Sequence, residues 1–237
     1  MTEADFRHDF DVQLMHYAAS DEDVVNAARV SVLGSDVTDR EFVSDKDAGL
    51  INYLMRNRHG TPFEHNSFTF FISAPIFVFR EFQRHRMFSF NEESGRYKEL
   101  DPVFYMPDDA RPLRQVGKPG SYTFEKGDEF DSWLVFDHIR DNSLAAYDSY
   151  QTVMQAGIAR EVARMVLPLN IYSSMYATCN ARTLMHFLSL RTASEHANYP
   201  SFPMYEIHEV ALRMEDLFKK RMPITWEAFN KHGRVAP

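Results

Sequence analysis

Apolar positions along this chain follow two periods, and the switches between them mark its elements. Ser20 stands before residues 21–29, whose first turn is acidic, so the pattern predicts an N-capped helix there. Ser44 and Asp47 have the spacing of a capping box, and Leu50, Ile51, Leu54 and Met55 behind them share one helical face. Gly60 and Pro62 end that helix. Residues 67–73 alternate instead, with Phe68, Phe70 and Ile72 on one side, which predicts a strand. Pro75 then opens a short helix over residues 76–83.

The second half is more helical. The spacing predicts a helix over residues 130–156 that stops at Gly157 and a helical stretch from Ile158 to a break at Pro168. A further helix is expected over 183–190, and a strong one over Tyr205–Arg221, where Ile207, Val210, Met214, Leu217 and Phe218 recur at helical spacing. Residues 101–121 hold four Pro and two Gly and read as an extended loop. Neither an internal repeat nor a convincing linker divides the chain. The expected fold is α+β (α/β-type), one helix-rich domain over residues 1–237 around a small, mostly antiparallel sheet.

Composition narrows the class. With 237 residues, 44% of them hydrophobic and 14% aromatic, the chain can bury a core without covalent staples. Its one cysteine, Cys179, excludes an intrachain disulfide framework and a multi-cysteine zinc site. An acidic N-terminus without an apolar stretch and the lack of any long apolar run point to a soluble, cytoplasmic protein without membrane contact. A formal charge of −8 argues against a general nucleic-acid binder.

That acidity makes one basic stretch stand out. Residues 80–98 read REFQRHRMFSFNEESGRYK, with Arg80, Arg84, Arg86, Arg96 and Lys98 against Glu81, Glu92 and Glu93. Arginine forks suit phosphate, and Ser94 and Gly95 add hydroxyl and backbone donors, so a phosphorylated ligand is one reading. A solvated charged turn is the other, and charge alone leaves both open.

The spacing goes further. Arg84-His85-Arg86, seven residues and then Ser94 resembles the RHR-x7-S signature of the flavin-dependent thymidylate synthases. Four more elements are similar to that family's, in order: His59-Gly60-Thr61-Pro62-Phe63-Glu64-His65, the SFNEESGRY loop, Arg160-Glu161-Val162-Ala163-Arg164 with Leu167-Pro168-Leu169-Asn170, and Asn180-Ala181-Arg182 with Leu190-Arg191. After Arg191 the chain departs from the family pattern, inserting residues that include Pro200 and Pro203 before Glu206.

The resemblance implies an enzyme that methylates dUMP to dTMP, with 5,10-methylenetetrahydrofolate as one-carbon donor, FAD as hydride carrier and NADPH as reductant. It implies FAD contacts from His59, Thr61, Arg84, His85, Arg86, Met87, Glu92, Asn180, Arg182 and His186, with the His85 ring able to lie against the isoalloxazine. It implies dUMP contacts from Arg84, Glu92, Glu93, Ser94, Gly95, Arg96, Arg164 and Arg191, with Arg96 and Arg164 on the phosphate. Glu81 stands where the family often has Gln, and Gln83 is the candidate to compensate. Arg191 is the expected catalytic residue, its guanidinium polarising the uracil so that C5 becomes nucleophilic without covalent attack by the protein. Cys179 and Ser94 are then a packing residue and a binding residue, not nucleophiles. A homotetramer with shared active sites is also implied.

Three rival readings remain at this point. Arg84 to Arg96 with Phe88, Phe90 and Tyr97 could stack on single-stranded nucleic acid. Ten histidines could serve a metal hydrolase, although no H-E-x-x-H pattern occurs and no metal site is expected. The chain could also bind flavin and nucleotide without catalysis.

Overall fold

The computed structural model describes residues 4–39, 41–118 and 121–237, and the side chains of these except at 39, 44 and 121. Helices run over Asp21–Leu33 (α1), Ser44–Arg56 (α2), Ile76–Phe82 (α3), Glu129–Gln155 (α4), Arg160–Ala163 (α5), Ala181–Arg191 (α6), Tyr205–Arg221 (α7) and Pro223–Lys231 (α8). Strands run over Asp5–Arg7 (β1), Asp11–Ala18 (β2), Ser67–Pro75 (β3), Ser89–Glu92 (β4), Val103–Tyr105 (β5), Arg114–Lys118 (β6), Ser121–Glu125 (β7) and Tyr172–Cys179 (β8). This is the α+β class that the patterning predicts. The chain divides into two compact units, one of residues 1–11, 73–84 and 92–175, the other of residues 12–72, 85–91 and 176–237.

In the first unit, β1 pairs parallel with β5, Phe6 opposite Phe104. The core gathers Leu100, Phe104, Tyr147, Tyr150, Ala163 and Ile171. An Asp128–Asp131 capping box starts α4, and the C-terminal half of that helix supplies Tyr147 and Tyr150. The Tyr147 hydroxyl donates to Leu100 O at 3.1 Å, while Leu100 N donates to the Tyr150 hydroxyl at 3.3 Å, which pins the backbone there. Asn170 ties the segment before β8 to β5, its side chain donating to Tyr105 O at 3.2 Å and its carbonyl accepting from Tyr105 N at 2.8 Å. The first N–H groups of α3, which have no partner inside the helix, donate to the carbonyls of Ile171 and Leu169.

The expected loop over 101–121 needs correction. It contains β5 and β6, and β6 pairs antiparallel with β7 in the register Val116 to Thr123. The Pro and Gly there punctuate short strands, while positions 119 and 120 lie outside the described residues.

In the second unit, the Ser20 hydroxyl accepts from Asp23 N at 3.2 Å and caps α1, which continues to Gly34 at φ +58. Helix α2 begins at Ser44 with Val43 at the N-cap, and Asp47 accepts from Val43 N at 2.7 Å; the Ser44 side chain of the expected capping box lies outside the described side chains. Ile51, Leu54 and Met55 are buried, as are Phe68, Phe70 and Ile72 of β3 and Ile207, Val210, Met214 and Phe218 of α7. A four-stranded sheet has the order β2-β3-β8-β4, in which β3 and β8 are neighbours. Thr69 and Thr178 share a hydroxyl hydrogen bond of 2.9 Å across the two.

Helix α8, beyond the last expected helix, starts at Pro223 and borrows its N-terminal acceptor from another helix. Asp21, buried at the start of α1, accepts from Ile224 N at 3.0 Å, Thr225 N at 2.8 Å and the Thr225 hydroxyl at 2.6 Å. Burial pushes its carboxyl up, and these donors pull it back. Asp21→Ala leaves buried donors unmatched and is expected to cost about 2 kcal/mol or more. Urea unfolding checks this, a lowered midpoint at constant slope being the expected result and an unchanged midpoint the contrary one.

Candidate active site

The expected site residues fall into two groups, one within each unit, and the division passes between Arg84 and His85 of the RHR motif.

The first unit contains a cavity of about 470 Å³ whose lining includes Glu92, Glu93, Ser94, Gly95 and Arg164. Arg80 reaches it from α3 and Gln83 from that helix's C-cap, and Ile76, Leu100 and Leu167 form apolar wall. Gln83 therefore lines the cavity and Glu81 does not. The loop that carries Ser94 is a tight turn, with Tyr97 N and Lys98 N both donating to Ser94 O at 3.0 and 3.2 Å. Gly95 passes close to Arg164, since a Cβ there would come 3.3 Å from Arg164 Cδ and 3.1 Å from Leu100 Cδ1. Glycine lets that backbone come near whatever Arg164 holds.

Charges around the cavity are unequally matched. Lys98 Nζ pairs with Glu93 at 2.7 Å and with Asp101 at 3.3 Å. Burial pushes the Glu92 carboxyl up, with the Ser173 hydroxyl, Arg80 and Arg164 opposing. Arg96 is absent from the lining and pairs with Glu161 at 3.2 Å, while Glu161 itself lines the cavity. Ser173, a lining residue the sequence reading missed, has a buried Oγ close enough to the Glu92 carboxyl to oppose that rise.

In the second unit the HGTPFEH and NAR elements meet. A Cβ on Gly60 would lie 2.6 Å from Arg182 Nε and 2.8 Å from the Pro237 carbonyl oxygen, so glycine leaves room for both. The Arg182 guanidinium donates to Glu64 and to the Pro237 carbonyl. Asn180 is the N-cap of α6, its Oδ1 accepting from Thr183 N at 2.9 Å, and Asn66 Oδ1 accepts from Ala181 N at 2.7 Å. Arg182 and His186 follow four residues apart on α6 and are exposed, as are Thr61, Arg86 and Met87. His59 is exposed and sits edge-on to Tyr53, with ring centroids 5.7 Å apart.

His85, by contrast, is buried. The residue is 7% exposed, and its ring packs edge-on to Phe187, with centroids 4.8 Å apart. Its Nε2 accepts from Arg191 Nε at 3.0 Å. An acceptor nitrogen carries no proton, which assigns the neutral ring's hydrogen to Nδ1. Burial, then the Arg191 charge, then His186 push this imidazole down to about 4. The thiol of Cys179 is buried and pushed well above its usual range, as a packing residue's would be. Among the described residues no group of three or more His, Cys, Asp or Glu is placed to hold a metal, and no helix is long and apolar enough to cross a membrane.

The His85 shift has a sign that can be checked. Between pH 6.5 and about 4 the unfolded chain takes up a proton at this position that the folded chain refuses, so stability falls as pH falls through that window. The full effect is at most about 3 kcal/mol. His85→Gln should flatten the acid-side loss by that amount in urea unfolding at pH 7 and pH 4.5; equal losses in both proteins would show that the ring is not held neutral.

Residues 13–224 match the family model described as thymidylate synthase complementing protein. The flavin-dependent thymidylate synthase of Tropheryma whipplei (strain TW08/27) is 56% identical over 232 residues, covering 98% of this chain and 97% of that protein. That of Streptomyces avermitilis is 57% identical over 235 residues, covering 98% and 95%. A crystal structure of a UMP/dUMP methylase from Streptomyces cacaoi bound with 5-Br dUMP aligns with a TM-score of 0.94 at 52% identity, covering 98% of this chain and 100% of that one. The same methylase bound with 5-Br UMP aligns with a TM-score of 0.91 at 50% identity, covering 99% of each chain. With a family match over nearly its whole length, the chain belongs to the flavin-dependent thymidylate synthases.

Proposed function

We propose that this protein converts dUMP to dTMP, drawing the one-carbon unit from 5,10-methylenetetrahydrofolate, with FAD as hydride carrier and NADPH as reductant. The observation that carries the proposal is the cavity of the first unit, where Glu92 to Gly95 and Arg164, some seventy residues apart, line one space of about 470 Å³. That volume suits a small ligand. Arginines beside a glycine-lined turn suit a phosphate, apolar wall suits a base, and carboxyl and hydroxyl groups suit a sugar.

Arg164 is the phosphate ligand in this reading, and Arg96 joins it by exchanging its contact with Glu161. Arg84 completes the nucleotide site. Arg191 stabilises negative charge developing on the uracil, which raises the nucleophilicity of C5 without an enzyme–nucleotide bond. The buried, high-pKa Cys179 supports a reaction without a cysteine nucleophile.

The residues of the second unit fit a flavin dinucleotide by the chemistry of their donors. Arg86 and Arg182 offer forks to a diphosphate, Thr61 a hydroxyl, and Met87, His186 and His59 exposed soft or planar surface. A diphosphate at Arg182 takes the place of the Glu64 carboxylate and the Pro237 carbonyl. Bound FAD supplies the redox chemistry, and the protein supplies orientation and charge. We also infer that both units serve one domain, that four copies assemble with shared active sites, and that the enzyme works in the cytoplasm.

Purified protein, incubated with FAD and passed through gel filtration, should retain the flavin absorption bands and form dTMP from dUMP as NADPH is oxidised. Retained flavin without dUMP-dependent oxidation would favour a non-catalytic flavoprotein, and UMP run in parallel tests for the wider specificity of the Streptomyces cacaoi UMP/dUMP methylase. Arg164→Ala should weaken dUMP binding by about 1.5–3 kcal/mol, and Arg96→Ala by less because its charge is already shared with Glu161. Isothermal titration reads both, and unchanged affinity in Arg164→Ala would remove it from the phosphate site.

A further inference from the structure

The insertion that follows Arg191 and the last two helices hold a set of buried contacts that the proposed reaction does not use directly. Arg234 is 4% exposed yet charged, and it makes a paired ion bridge with Glu215, Nη1 to Oε1 at 2.7 Å and Nη2 to Oε2 at 2.8 Å. Trp226 Nε1 donates to the same Glu215 Oε1 at 2.8 Å, and Asn230 Oδ1 accepts from Arg234 Nη1 at 2.6 Å. Burying such a pair costs desolvation that its mutual attraction often only matches, so general stability is a weak reason for its presence.

Its remaining contact gives a stronger reason. Arg234 Nη2 donates to Thr192 Oγ1 at 2.7 Å, and Thr192 is the C-cap that ends α6 immediately after Arg191. The Thr192 hydroxyl spends its own hydrogen on Leu188 O at 2.7 Å, which leaves its oxygen to accept from the arginine. Thr192 O accepts from Ser201 Oγ at 2.9 Å, so the residue is held on both sides. The backbone aims Arg234 at this point through two successive left-handed residues, Gly233 at φ +78 and Arg234 at φ +54. A Cβ at Gly233 would come 2.2 Å from the Asn198 side chain, so that bend is reserved for glycine.

We propose that Arg234, backed by Glu215, is a positioning residue for Arg191: it locks Thr192 and thereby fixes the end of α6 so that the Arg191 guanidinium meets the His85 imidazole. The inference rests on the proposed role of Arg191 for its kinetic consequence, but not for its geometry. A guanidinium anchored at one end by His85 and at its backbone by Thr192 has few poses left, and small misplacements of a catalytic group cost large factors in rate.

The test uses Thr192→Val in the full chain, which removes the accepting oxygen and leaves the Arg234–Glu215 pair in place, with Thr192→Ser as the conservative control and Arg234→Lys as a second variant. Two quantities are read. The first is the His85 titration by imidazole NMR, assigned with His85→Gln; the charged and titratable neighbours facing that ring are Arg191 and His186. Thr192→Val and Arg234→Lys should let Arg191 withdraw and raise the His85 pKa above about 4, while Thr192→Ser restores it. The second is turnover at saturating dUMP, expected to fall about tenfold or more in the same two variants and to recover in Thr192→Ser. A lowered melting temperature with the His85 titration unmoved would overturn the proposal, reducing Arg234 to a structural residue. A wild-type protein that forms no dTMP would count against the proposed function alone, because the NMR titration stands without activity.

Discussion

A guanidinium can be held 3.0 Å from an imidazole nitrogen only while that ring is neutral, and much of the second unit is arranged around this requirement. Phe187 walls the His85 ring and burial denies it a proton, so the charge stays on Arg191 alone. Arg191 then has a fixed acceptor for its Nε. Helix α6, which carries it, is fastened at both ends. Asn180 and Asn66 meet the orphan N–H groups at the start, and the Thr192 hydroxyl meets a carbonyl at the finish.

The same economy runs through the sequence motifs. Residues of the family's sequence elements also build the fold. Asn180 caps a helix, Asn170 joins β5 to the segment before β8, and Gly60 makes room for Arg182. A motif of this kind couples the binding surface to the packing beneath it, so a substitution within it moves both. Arg182 and Arg96 show the complementary device: each cation is paired with a carboxylate, Glu64 or Glu161, which keeps a charge in place for exchange. Both pairs are partly exposed, and such pairs are weak enough to exchange readily.

Much of the architecture was legible where local chemistry and burial agree. Ser20 with three acids behind it, the alternation of Phe68, Phe70 and Ile72, and the helical recurrence from Ile207 to Phe218 each place an element correctly. Strand β8 escaped because Tyr172 to Cys179 mixes small, polar and apolar residues on both faces, and its strand character comes from neighbours in the sheet. Helix α8 escaped because Pro223 reads as a terminator when it is in fact a first-turn residue, served by Asp21 from about two hundred positions away. The site divides along the same line. Glu92 to Gly95 are contiguous and visible in sequence, whereas Ser173 reaches the cavity from a strand whose facing is decided by pairing, and the bond from Arg234 to Thr192 exists only in three dimensions.

Cys179 ends β8, the one thiol in the chain and buried. With its sulfur protonated and out of reach, two copies have no route to a covalent cross-link, and small oxidants and alkylating agents find no nucleophile at the surface. Whatever modifies that sulfur must first wait for the strand to part from its neighbours. The rate of thiol capture is therefore a built-in clock for local opening of β8, readable without an introduced probe.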